Sequence, residues 1–145
     1  MQEVIRQFLQ EAAETLARMD TAQQTCIGKA AQLLIDCYGR GGAVYICGNG
    51  GSAADAQHIA AELAGRFLRE RKALACSALS TNTSILTAVG NDSSYDRVFS
   101  RQVEAYAHKG DVLWAISTSG NSGNVIEAAR VARQMGVSVL GFTGG

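Results

Sequence analysis

Apolar residues recur at helical spacing from Val4 to Met19: Val4, Ile5, Phe8, Leu9, Ala12, Ala13, Leu16 and Met19, with Glu3, Arg6, Gln10, Glu11, Glu14 and Arg18 between them. The pattern predicts an amphipathic helix. A second run, Ile27, Ala30, Ala31, Leu33, Leu34, Cys37 and Tyr38, predicts another helix, stopped by Gly39-Arg40-Gly41-Gly42. Beyond Gly42 the pattern changes to short continuous apolar runs at 43–47, 73–79, 112–116 and 137–142, which read as buried strands. Helical stretches at 53–69, 83–89, 95–107 and 125–135 alternate with them. The class is therefore α/β: a parallel sheet with helices on both faces, in a three-layer, flavodoxin-like arrangement preceded by two N-terminal helices. Two parts follow, a helical pair at 1–40 and a sheet domain at 41–145.

Composition narrows the function classes. Thirteen Lys+Arg balance thirteen Asp+Glu, which removes the simplest electrostatic argument for nucleic acid or an anionic membrane as partner. No apolar run approaches the roughly 20 residues of a membrane span, and Met1-Gln2-Glu3-Val4-Ile5-Arg6 lacks the pattern of a signal peptide, so a cytoplasmic location is expected. Cys26, Cys37, Cys47 and Cys76 form no C-x-x-C pair and read as small buried hydrophobes in a reducing compartment. The sequence has 16 Gly and no Pro, so glycine is its only strong punctuator.

Ligands of open parallel sheets bind beyond the carboxyl ends of the strands. The first strand leads into Gly48-Asn49-Gly50-Gly51-Ser52. Its glycines can bring backbone N–H groups to an anion at a helix N-terminus, or it can be a tight turn capped by Ser52. Gly48-x-Gly50-x-x-Ala53 also matches a dinucleotide fingerprint, but the second strand ends in Leu79-Ser80-Thr81-Asn82, without the acidic residue a ribose requires. The third strand leads into Ser117-Thr118-Ser119-Gly120-Asn121-Ser122-Gly123-Asn124, whose four hydroxyls and two glycines suit a phosphate held without cationic side chains. Ser80-Thr81-Asn82-Thr83 and the turn Gly90-Asn91-Asp92-Ser93-Ser94 can supply sugar-hydroxyl contacts.

On the helix after the first glycine loop, Asp55, His58 and Glu62 share one face. His and Glu four apart can ligate one metal ion, serve as a proton-transfer pair, or form an exposed ion pair. Ser52 and Glu62 are separated by roughly 15 Å along the helix axis at about 1.5 Å per residue. A small phosphosugar cannot be anchored at the first and worked on by the second. The phosphate is therefore placed on the 117–122 loop, in a composite site with the helix presented by a neighbouring subunit. His108 reads as a solvated loop residue, and Arg66, Arg69, Glu70, Arg71 and Lys72 as a solvated, dipole-compensating helix end, the alternative being an arginine that meets substrate or another subunit.

The stretch from Gly48 to Leu63, with Gly90-Asn91-Asp92 and Ser117-Thr118-Ser119-Gly120-Asn121-Ser122, closely resembles the phosphoheptose isomerases, a branch of the sugar isomerase (SIS) domain family. The resemblance covers essentially the whole chain. It implies conversion of sedoheptulose 7-phosphate to glycero-manno-heptose 7-phosphate, the first step towards ADP-heptose and the lipopolysaccharide core. It makes Glu62 the catalytic base and His58 with Glu62 ligands of zinc in members that carry the metal. Substrate contacts carry over to Asn49, Gly50, Gly51, Glu62, Asn91, Asp92, Ser117, Thr118, Ser119 and Ser122. It further implies a homotetramer with the leading helices in its core and active sites between subunits. The family pattern continues past Gly145 through another strand and a long helix that supply a Gln and a His, so the C-terminal strand and helix are expected to be missing here. Two other readings are a non-catalytic SIS tetramer that binds the replication initiator protein, from which the presence of Glu62 differs, and a sugar-phosphate-sensing module.

Overall fold

The computed structural model describes residues 1–144. They form two compact units, Met1–Leu33 and the remainder from Leu34 onward, the division falling inside the second helix. In the first unit α1 spans Gln2–Ala17 and is held on its polar side by exposed pairs such as Arg6–Glu3 at 3.1 Å. None of its residues is buried, and Val4, Ile5, Phe8, Leu9 and Leu16 are all more than half exposed. The second helix, α2, spans Thr21–Gly39, six residues earlier than the apolar period predicts. Its start is polar and is set by capping instead of burial. The Asp20 carboxylate accepts from the Gln23 N–H at 2.8 Å, and the Gln23 side chain accepts from the Asp20 N–H at 3.0 Å, a reciprocal box.

In the second unit four strands, β1 (Val44–Cys47), β2 (Cys76–Ala78), β3 (Val112–Ser117) and β4 (Ser138–Thr143), make one sheet in the order β2-β1-β3-β4. Every pairing is parallel, with Val44 beside both Cys76 and Val112, and Val112 beside Ser138. Connecting them are α3 (Gly51–Ala64), α4 (Thr83–Asp92), α5 (Ser100–Tyr106) and α6 (Gly123–Gln134).

Side chains alternate along each strand, so each strand serves both faces. Cys47, Leu113 and Ala115 join Phe99 and Val103 from the α5 side and Ala128, Val131 and Ala132 of α6 in the main core. Val44, Ile46, Val112 and the α3 residues Ala56 and Ala60 are buried outside that cluster, on the opposite face. The small Ala residues let α3 lie close to the sheet. Helices thus cover both faces, as the alternation of patterns predicts.

Four element boundaries depart from the sequence expectation. The helix expected over 53–69 stops at Ala64, where Gly65 follows and Phe67 turns into the left-handed region at φ 48°. The strand expected over 73–79 shrinks to three residues, Cys76–Ala78, at an edge of the sheet with β1 as its partner. The helix expected over 95–107 is broken into a 3-10 turn at Tyr95–Arg97 and α5, which lets the consecutive residues Val98 and Phe99 both enter the core at 0% and 1% exposure. The turn expected at Gly90–Ser94 is partly helical, since α4 runs to Asp92. Of the cysteines, Cys37 and Cys47 are buried and Cys76 is half-buried, with burial pushing the Cys47 thiol up to about 12; Cys26 is exposed, contrary to the expectation of a buried hydrophobe.

Candidate active site

The strand order places a switch point between β1 and β3, because the chain leaves β1 towards β2 on one side and returns on the other. Both phosphate-type loops open there. Gly48 leaves β1 so close to its neighbours that a Cβ on it would lie 2.7 Å from the Ser52 Cβ and 3.0 Å from the Ile116 carbonyl oxygen. Gly50, with φ 54°, caps α3 without a side-chain bond. Ser52 lies inside the first turn of α3 and is 9% exposed, so it packs instead of capping.

The second loop is tied to the first by a reciprocal amide pair. Asn49 Nδ2 donates to Asn124 Oδ1, and Asn124 Nδ2 donates to Asn49 Oδ1, both at 2.9 Å. Asn124 is 3% exposed, so the pair is sheltered and each amide depends on the other. Within the second loop the Ser117 and Ser122 hydroxyls lie 3.1 Å apart, the Ser119 hydroxyl accepts from the Asn121 N–H at 3.2 Å, and Gly120 turns at φ 67°. Ser122 caps α6 but makes no side-chain bond to a helix N–H, its hydroxyl being turned to Ser117. Thr118 and Ser119 are exposed, whereas Ser117 is buried. The result is a pair of preformed glycine and hydroxyl loops beyond the carboxyl ends of two adjacent strands, a geometry suited to an anion held by dipoles.

His58 and Glu62 lie elsewhere on α3. Both line a cavity of about 620 Å³ with Arg66, Arg69, Arg71 and Trp114, while the exposed Asp55 of the predicted face does not line it. Trp114 presents a buried indole Nε1 with no hydrogen-bond partner among the described residues. The C-terminal end of α3 is fixed by Arg71, which donates to the carbonyl oxygens of Glu62 and Leu63, each at 2.8 Å. A cation on the last carbonyls is favoured by the helix dipole, so the dipole-compensating reading of this basic run holds for Arg71. Arg66 pairs with Glu70 at 2.9 Å on the surface.

Asn91 and Asp92 occupy a third place. The Asn91 amide donates to the Asp92 carboxylate at 2.8 Å, and Asp92 lines a hollow of about 470 Å³ with Arg97 and Arg101. The sequence-predicted residues are thus divided among the switch-point loops, the α3 cavity and the end of α4. His58 and Glu62 supply one imidazole and one carboxylate, and no group of three His, Cys, Asp or Glu capable of holding a metal occurs among the described residues. Two donors do not make the four-ligand set of a tetrahedral zinc site. Sequence reasoning gave Asn124 no role of its own and did not single out Arg71 within its basic run. Nothing in local spacing could have paired Asn124 with Asn49, 75 positions away.

The SIS domain family matches residues 7–144. The chain is 55% identical over 144 residues to the phosphoheptose isomerase of Rhodospirillum rubrum, covering 99% of this chain and 76% of that relative. It is 53% identical over 141 residues to the phosphoheptose isomerase of Aliarcobacter butzleri, covering 97% and 74%. The solved structure of the Neisseria gonorrhoeae phosphoheptose isomerase superposes with a TM-score of 0.91 at 44% identity, covering 99% of this chain and 77% of that one.

Proposed function

The chain belongs to the SIS domain family and, within it, to the phosphoheptose isomerases, and from that premise we propose that it converts D-sedoheptulose 7-phosphate to D-glycero-D-manno-heptose 7-phosphate. It is an enzyme, an isomerase of sugar phosphates. The observation that supports this assignment of roles is geometric: hydroxyl-rich loops lie at the switch point, and the Glu62 carboxylate lies on the wall of a separate cavity.

In this reading Thr118, Ser119 and Ser122, with Ser117 positioning the loop, hold the phosphate. Asn49, Gly50, Gly51, Asn91 and Asp92 hold the sugar. The Glu62 carboxylate removes the proton from the carbon beside the ketose carbonyl, giving an enediol, and the proton is then returned to the former carbonyl carbon. The net change moves one hydrogen between adjacent carbons and one between their oxygens, so no redox partner is needed. His58 and Glu62 would be two ligands of a zinc ion, which would supply Lewis-acid polarisation of the carbonyl; the described residues offer no third.

Glu62 and the phosphate loop line different surfaces of one chain, which favours sites completed by a neighbouring subunit. The exposed apolar stripe of α1 favours a homotetramer built on the helices at 1–40, with the residues from 41 onward as the sugar-phosphate domain. We place the enzyme in the cytoplasm, at the first step towards ADP-heptose and lipopolysaccharide core. No helix among the described residues is long and apolar enough to cross a membrane. The test is the full chain incubated with sedoheptulose 7-phosphate: an aldose heptose phosphate is expected as product. Absence of that product together with tight binding of the replication initiator protein would overturn the reading.

A further inference from the structure

A second cavity, of about 510 Å³, lies at the amino ends of β1 and β3, the edge of the sheet opposite the switch point. At about 3.3 Å per residue the six residues of β3 alone separate the two ends by roughly 20 Å. The cavity is lined by Arg40 from the turn after α2, by His108 and Lys109 from the turn before β3, and by Tyr45 and Tyr106. Arg40 and Lys109 enter none of the ion pairs found among the described residues, and both are exposed.

The lining is built, not incidental. Asp111, its one acid, is 7% exposed and faces the backbone. One of its carboxylate oxygens accepts from the Ala43 N–H and the other from the His108 N–H, both at 2.8 Å. Asp111 therefore staples together the two turns that carry the cations. Gly42 lets them approach, since a Cβ there would lie 2.8 Å from the Cys37 sulfur and 3.0 Å from the Gly110 carbonyl oxygen. Tyr45 is fixed by donating its hydroxyl to the Tyr106 carbonyl at 2.9 Å, and burial and then Asp111 push its phenol up, keeping it a donor.

We propose that this cavity is a second ligand site, for a small phosphorylated metabolite that carries a ring. The phosphate lies between Arg40 and Lys109, and the ring lies against Tyr106. Two cationic side chains carried on turns that Asp111 ties together, beside two tyrosines, in a hollow within the usual small-molecule range of about 300–1,000 Å³, are the chemistry of such a ligand. The cavity lies roughly 20 Å from the switch-point loops of the same chain, so one small phosphorylated ligand cannot touch both sets of residues within one chain.

Adenosine monophosphate is the probe, and hydrogen–deuterium exchange of the full chain is the readout. Peptides covering 38–45 and 104–113 should exchange more slowly in its presence. R40Q/K109Q should weaken half-saturation of that protection at least tenfold, and Y106A should weaken it while leaving protection by inorganic phosphate unchanged. Both sets of substitutions leave Asp111 and its staple in place, and exchange without ligand should match the parent protein. Protection confined to 48–52 and 117–124, no protection at all, or equal protection in R40Q/K109Q would overturn the proposal.

Discussion

Asn124 shows how one buried side chain can hold a site that its neighbours in sequence form. Its amide exchanges two hydrogen bonds with Asn49 across the switch point and is almost inaccessible to water. Removing it strands the Asn49 amide, and an unsatisfied sheltered polar group costs about 1–3 kcal/mol. Asn124→Ala should therefore lower stability by that amount in a denaturant titration. Asn49→Ala added to it should cost less than the sum of the two single changes, because the second change removes a group already left unpaired. Full additivity would show that the pair contributes nothing as a pair. At the same scale, the residue types of the loops were legible: Ser117, Thr118, Ser119 and Ser122 on one side, Gly48 and Gly50 on the other. Their mutual attachment was not, since it depends on which strands become neighbours.

The third helix carries the proposed base and ends sooner than its amphipathic pattern suggests. Apolar and charged residues continue at helical spacing to Arg69, but Gly65 and the left-handed Phe67 terminate the helix, and Arg71 folds back onto the carbonyls of Glu62 and Leu63. That guanidinium is positioned by a turn seven residues beyond the last helical residue, so no local period could report it. It holds the backbone of the residue whose side chain is to act. Arg71→Ala should lower kcat about tenfold or more with a smaller change in KM, because a base displaced by even an ångström loses rate more than binding. An unchanged kcat would make the clamp a matter of helix stability alone. The alternation of strand and helix was fully legible in the sequence. The errors lie where burial overrides period, as where Val98 and Phe99 are both drawn into the core, or where a capping box extends a polar helix start to Thr21.

For the whole molecule the exposed stripe of α1 carries the most weight. The helix has no buried residue and leaves Val4, Ile5, Phe8, Leu9 and Leu16 exposed along one amphipathic stripe. Copies of the chain cover that stripe in the proposed homotetramer. Light scattering should give a mass about four times the 15.2 kDa of one chain, and Phe8→Glu should shift it towards smaller species. A monomeric parent protein would contradict the proposed assembly. The proposed assembly would also bring together, from different subunits, residues that lie in three places within one chain. The separation of Glu62 from the phosphate loop was anticipated through the roughly 15 Å between Ser52 and Glu62 along α3, a helix-rise argument and not a motif; the separate place of Asp92 was not.

The central claim is that Glu62 moves a carbon-bound proton. It is tested most directly by following deuterium uptake from heavy water into the reacting carbons of sedoheptulose 7-phosphate and its aldose product by NMR. The full chain should wash deuterium into those carbons at a rate comparable with turnover, and Glu62→Gln should lower both uptake and turnover by about a hundredfold or more while remaining folded. Uptake by the glutamine variant at the parent rate would contradict the account.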